Sequence, residues 1–231
     1  MPIAITTMTT ATTDDLLRLI RLLTWLSPGF PTSGFAFSHG LEWSIEAGDL
    51  IDETTLGAWV ADVICNGAGR SDTILLRHAY AADLDDLPAL CALGTALGFG
   101  RERRLETCAQ GTAFIRAGSV WGGPRVAALF DQEVPYPVAV GALAADHRVG
   151  EDQAAAAYLQ AFAASLVSAA VRLMPLGQTA GLRVRVILEP LIAGLVEETR
   201  GAGLDDLGGA CFRSDVAALR HETQRTRLFR T

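Results

Sequence analysis

EDQAAAAYLQAFAASLVSAAVRL, residues Glu151 to Leu173, is the stretch that decides the fold. Acids open it, Arg172 closes it and Pro175 follows, which matches the two ends of a helix dipole and its stop. Tyr158, Phe162 and Leu166 fall on one stripe at i, i+4 spacing. Ala157, Ala161, Ala164 and Ser168 make a second, small-residue face, where the pattern predicts that another helix approaches closely. The uncharged run from Gln153 to Val171 is long enough to span a bilayer. It is rich in Ala, however, and Gln153, Gln160, Ser165 and Ser168 interrupt it. The segment therefore reads as the central helix of a bundle and not as a membrane span.

Helical patterns recur on both sides of it. They predict helices over Asp14–Leu26 (capped by Thr13), Leu41–Ala47, Thr55–Asn66, Asp72–Ala82, Leu87–Leu97, Arg101–Ala117, Val138–Asp146, Leu182–Arg200 and Asp215–Glu222. In the first of these only Arg18, Arg21 and Thr24 break the apolar run, so nearly all the rest of that helix is expected to be covered. Pro190 is expected to kink or break its helix. Ser27–Gly40 holds Pro, Gly and three Phe, which predicts a packed loop. Gly118–Pro137 reads as turns. No alternating strand, βαβ rhythm or repeat is present. The expected fold class is all-α: a single-domain helical bundle of roughly ten helices with no significant sheet. Residues 1–13 are expected to form a flexible arm, 14–222 the helical domain and 223–231 a C-terminal docking tail.

Composition narrows the chemistry. The 231 residues carry 19 basic and 26 acidic side chains, for a net charge of −7, and every basic residue is Arg. Without Lys the chain has no P-loop lysine for nucleotide phosphates. Schiff-base chemistry is excluded on the same ground. Apolar residues make up 50% and charged ones only 19%, an excess of apolar surface that predicts a protein partner. Cys65, Cys91, Cys108 and Cys211 form no CxxC pair and read as free, mostly buried thiols. Met1–Thr13 lacks the basic start and apolar core of a signal peptide, so a cytoplasmic location is expected. The last nineteen residues hold five Arg and two acids, against 14 Arg and 24 acids in the rest. Leu228 and Phe229 lie inside that basic end, the composition of a docking segment that orders on contact.

Ala36-Phe37-Ser38-His39-Gly40 invites a nucleophile-elbow reading. Ser38 would act with a downstream Asp/His pair, Asp146–His147 or Asp215–His221, as a serine hydrolase. The elbow needs a strand before it and a parallel sheet, and neither is predicted. Ser38 therefore reads as a cap or turn residue, and the chain as a non-enzyme without a cofactor. His39, His78, His147 and His221 are scattered, and no metal-ligand motif appears. A transient nickel or zinc contact at His39 or Cys65 is the weaker alternative. The run Arg101–Glu106 reads as a solvated helix start. Mixed local charge and a negative total argue against nucleic acid.

Four blocks taken together resemble one family. They are Phe30-Pro31-Thr32-Ser33-Gly34-Phe35-Ala36-Phe37-Ser38-His39-Gly40-Leu41-Glu42-Trp43, then Arg101-Glu102 with Glu106-Thr107 and Gln110–Phe114. Arg172-Leu173-Met174-Pro175-Leu176-Gly177-Gln178 and the end His221–Thr231 complete them. In this order they are similar to the UreF family of urease accessory proteins. Ser33 stands where that family usually has Gly, Phe35 and Phe37 where it often has Tyr or Trp, and Thr231 where it has Ser. The resemblance implies an all-α, non-enzymatic adaptor in nickel insertion into apo-urease. It implies a homodimer that bridges UreD (also called UreH) and the GTPase UreG. Carried over by position, UreG contact falls on Phe35, Phe37, Ser38, His39 and Glu42. UreD contact falls on His221, Arg225, Arg227, Leu228, Phe229 and Arg230. Phe229, Arg227 and Arg230 are the expected anchors, since aromatic and Arg side chains concentrate interface energy.

Overall fold

The computed structural model describes residues 12–231. Among them are eleven α-helices and no strand: α1 (Thr13–Trp25), α2 (Leu41–Glu46), α3 (Glu53–Cys65), α4 (Ala68–Ala81), α5 (Leu87–Ala96), α6 (Gly100–Gly118), α7 (Pro124–Leu129), α8 (Tyr136–Asp146), α9 (Glu151–Leu173), α10 (Gln178–Glu198) and α11 (Phe212–His221). The decisive stretch is one unbroken helix, α9, packed against α2, α3, α4, α8 and α10. By length and composition it would cross a membrane, yet half of its most apolar window is buried inside the fold. The polar and small residues on its remaining face explain why it needs only partial cover.

The most extensive helix–helix packing among the described residues is that of α4 with α8. Gly141 makes it possible, because a Cβ there would sit on the Leu76 carbonyl oxygen. At one end of these helices a buried guanidinium ties three elements together. Arg77 donates to Glu151 Oε1 and Asp152 Oδ1 at 2.8 Å each, to the Val196 carbonyl at 2.6 Å and to Thr199 Oγ1 at 3.2 Å. All of its bonded nitrogens meet acceptors, which is the condition under which a buried charge is tolerated.

Several expectations are corrected. The cap of α1 is Thr12, one residue earlier than predicted, in a reciprocal pair with Asp15. The rest of the expected arm, residues 1–11, lies outside the described residues. The turn-rich segment contains α7, whose first amides have no local cap. Asp146 accepts the Arg125 and Val126 amides at 3.0 and 3.1 Å instead. Such a cap, supplied from about twenty residues away, leaves no local sequence signal. Pro190 neither breaks nor ends α10, which runs on through it. The small-residue face of α9 is only partly covered: Ala157 packs against the core, while Ala161, Ala164 and Ser168 line an open cleft. Nor is α1 covered: only Leu22 and Trp25 are buried, while Leu16, Leu17, Leu19, Ile20 and Leu23 face outward.

Candidate docking site

Backbone geometry in the loop before α2 sets the site. Ser33, His39 and Gly40 all have positive φ, at 59°, 60° and 78°. Ser33, where the family usually has Gly, thus occupies a left-handed conformation that glycine favours. The second turn, His39-Gly40, brings the loop against α11. A Cβ on Gly40 would lie 2.7 Å from the Ala218 amide nitrogen.

This approach lets the C-terminal tail close on the loop. The Arg230 amide donates to the Ala36 carbonyl at 2.8 Å, and the Ser38 amide to Thr231 O at 2.7 Å. Ser38 Oγ donates to Thr231 O at 2.5 Å and accepts from the Glu42 amide at 3.3 Å.

Three buried carboxylates hold the rest of the tail. Glu42 accepts the Leu228 and Phe229 amides at 2.7 and 2.9 Å. His221 is fully buried and bridges two acids, with Nε2 3.2 Å from Glu42 and Nδ1 2.7 Å from Glu102. Arg227 donates to the other oxygen of Glu102 at 2.7 Å. Glu106 lies 3.2 Å from both His39 Nδ1 and Thr231 Oγ1. Burial pushes the Glu106 carboxyl up, against the Arg103 charge and the Thr231 hydroxyl. The hydroxyl that binds it is common to Thr and Ser, which explains the mild family departure at residue 231. Finally, Glu222 accepts the Arg101 and Glu102 amides at 2.7 and 3.3 Å. It caps α6 from 121 residues away, with the charge that a helix N-terminus favours.

The residues carried over for partner contact divide into two groups. Phe37, Ser38, His39, Glu42, His221 and Phe229 are buried and hold the two chain ends together. Phe35 (72% exposed), Leu228 (66% exposed), Arg225, Arg227 and Arg230 face solvent. Phe229, expected as an anchor for a partner, instead lies beneath the Arg172 guanidinium, 4.4 Å from its ring centre. The tail is part of the helical body and not a projecting segment.

The charged run at the start of α6 is likewise not simply solvated. Glu102 and Glu106 are buried while Arg101, Arg104 and Leu105 face outward. Only the i, i+4 spacing of the two acids hinted at a shared face, and spacing does not say which way that face points.

The serine-hydrolase geometry is absent. Ser38 Oγ bonds a main-chain oxygen, His147 lies 3.1 Å from the Gly122 carbonyl and 3.4 Å from Arg21, and His221 is held by Glu102 and Glu42. No group of three or more metal-ligating side chains occurs among the described residues. His39 stands edge-on to Phe162 at 5.0 Å, and its Nε2 is sealed from solvent without a partner. Burial raises the Cys65 thiol pKa, reinforced by Glu198 and Asp62.

Beside the site a cleft of about 460 Å³ runs along α9, lined among others by Asp72, Arg103, Glu106, Tyr136 and Tyr158. Tyr158 donates to Asp72 at 2.7 Å. Burial pushes the Asp72 carboxyl up to about 7, although that bond opposes it. A carboxyl raised on folding is neutral in both states below its unfolded pKa, and it costs stability as pH climbs toward the folded value. Stability should therefore fall between about pH 4 and pH 7. Asp72→Asn, which keeps an acceptor for Tyr158, should remove about 3 kcal/mol of that fall. Urea unfolding at pH 5 and pH 8 checks this; an unchanged difference between the two pH values would reject it.

The family model for UreF matches residues 50–188. The chain is 49% identical over 218 residues to a urease accessory protein UreF of Methylobacterium sp. (strain 4-46), covering 91% of this chain and 87% of that protein. It is 48% identical over 232 residues to the urease accessory protein UreF of Azorhizobium caulinodans, covering 97% and 100%. A third relative of the same name, from Bradyrhizobium sp. (strain BTAi1), is 46% identical over 220 residues, covering 92% of each chain. With a family model over more than half its length and relatives this similar along nearly all of it, the chain belongs to the UreF family.

Proposed function

We propose that this chain is a urease accessory adaptor for nickel insertion, and that the joined chain ends are its docking face. In this reading it works in the cytoplasm as a homodimer, bridges UreD/UreH and UreG, and presents them to apo-urease. GTP is bound by UreG, since this chain has no lysine for a P-loop.

One observation carries the reading. The tail holds Leu228 and three Arg at the surface while its backbone is fixed by buried acids. A preorganised segment gives up little conformational freedom on binding, so its contact energy goes into affinity. Planar guanidinium groups around an apolar side chain make a strong anchor for a partner. The buried residues, Phe229 above all, act by positioning this edge.

Leu228→Asp tests the reading on the UreD side. As a surface change it should alter stability by no more than about 0.5 kcal/mol. Co-purification with UreD on co-expression should fall by tenfold or more, about 1.4 kcal/mol. Phe35→Asp should spare UreD binding and weaken recruitment of UreG. Undiminished binding of both partners to a double variant would remove the chain ends as the docking face.

A further inference from the structure

Arg103 is a buried charge without a hydrogen-bond partner at Nη1. Its side chain is 11% exposed. No hydrogen bond forms at any of its nitrogens, and Nη1 is sealed from solvent without a partner. The Glu106 oxygen nearest to it is 3.9 Å away, already within bonding distance of His39 and Thr231. A buried donor without an acceptor is costly, and a guanidinium cannot shed its proton to escape that cost.

The carboxylates around it can instead take up a proton. Asp72, Glu106 and Asp215 line the same cleft, and burial pushes all three carboxyls up, toward their neutral form. Arg103 shares the cleft with two further guanidinium groups, Arg172 and Arg185, and is the one whose nearest carboxylate is already bonded elsewhere. Tyr136 adds a second free donor: its ring packs 5.4 Å from that of Tyr158, and its hydroxyl makes no hydrogen bond among the described residues. Arg185, on α10, stands on the α10 side of this lining. At about 460 Å³ the space falls within the range of small-molecule sites. Phe35, Leu97 and Phe99 contribute apolar lining.

We propose that this cleft is a binding site for a small carboxylate or inorganic oxyanion, with Arg103 as its charge partner and Tyr136 as a second donor. The proposed ligand contacts, Arg103 and Tyr136, are not among the docking residues, although Phe35 borders both sites. An anion supplies the acceptors that Arg103 lacks, and bidentate pairing suits both ligand types. A divalent cation is the opposite case, since Arg103 repels it.

The test uses the full chain with acetate, succinate, inorganic phosphate and sulfate as probes, each against chloride at equal ionic strength. Thermal midpoints and titration calorimetry are the readouts. At least one probe should bind saturably with one site per chain, and the carboxylate and inorganic arms identify the source. Arg103→Met should abolish that binding, Arg103→Lys should weaken it about tenfold and Tyr136→Phe severalfold. Without ligand, Arg103→Met should melt no lower than the natural protein, because it removes an unpaired buried charge. Three results would each overturn the proposal: no probe surpassing chloride, undiminished binding to Arg103→Met, or a lower ligand-free midpoint for that variant. The last would make Arg103 a structural partner of Glu106. Saturable nickel binding strengthened by Arg103→Met would equally reject an anion site.

Discussion

Replacing Glu42 by Ala should lower the unfolding free energy by about 3–5 kcal/mol, the usual cost of removing one partner from a buried charged network. Glu42 holds the Leu228 and Phe229 amides and faces His221. Without it three buried polar groups lose their partner, and water reaches them only if the tail lifts. The tail should therefore be cut by trypsin at Arg225 and Arg227 faster than in the natural protein, where its backbone is held by the Glu42 carboxylate. Glu42→Gln retains one carbonyl oxygen and should lose about half as much. Urea unfolding and timed digestion check both variants. An Ala variant with the natural midpoint and an intact tail would show that the carboxylate is not the latch. If the joined ends form the docking face, the same variant also loses UreD.

Gly40→Ala should be nearly as damaging, for a different reason. Position 40 is left-handed at φ 78°, which costs an L-residue about 1–2 kcal/mol. The added carbon would also lie 2.7 Å from the Ala218 nitrogen and 3.0 Å from its Cα. These are backbone atoms of α11 and cannot rotate away, so the helix carrying His221 must shift. A total near 3 kcal/mol is expected, strain and packing together. Gly48 is the internal control: its φ is 81°, with nothing within 4 Å of the added carbon. Gly48→Ala should show the strain alone, about 1 kcal/mol. Equal losses at the two positions would mean that the contact with α11 carries no weight.

The exposed face of α1 shows where sequence reading succeeds and where it stops. The run from Leu16 to Leu23 was legible as a helix because its apolar spacing is local. Whether the chain covers that face was not, and it does not. The candidate site divides similarly. Phe35 and Leu228 stood inside recognisable blocks, yet the same blocks contain Phe37 and Phe229, which are buried. Adjacent residues in an irregular loop point in different directions, and no periodicity foretells which. Glu102 and Glu106 looked solvated because a polar stripe one helical turn apart reads the same facing water or facing a neighbour.

Sequence alone determined what depends on neighbours along the chain: the long central helix with its charged ends, the helical class, the four ordered blocks and the lack of any lysine. Tertiary structure alone decided what depends on approach between distant segments. It brought Glu222 to the start of α6, Asp146 to the start of α7 and three acids to the tail. Helix ends and buried charges are satisfied by whatever partner folding delivers, and when that partner lies 20 to 187 residues away the local sequence carries no trace of it.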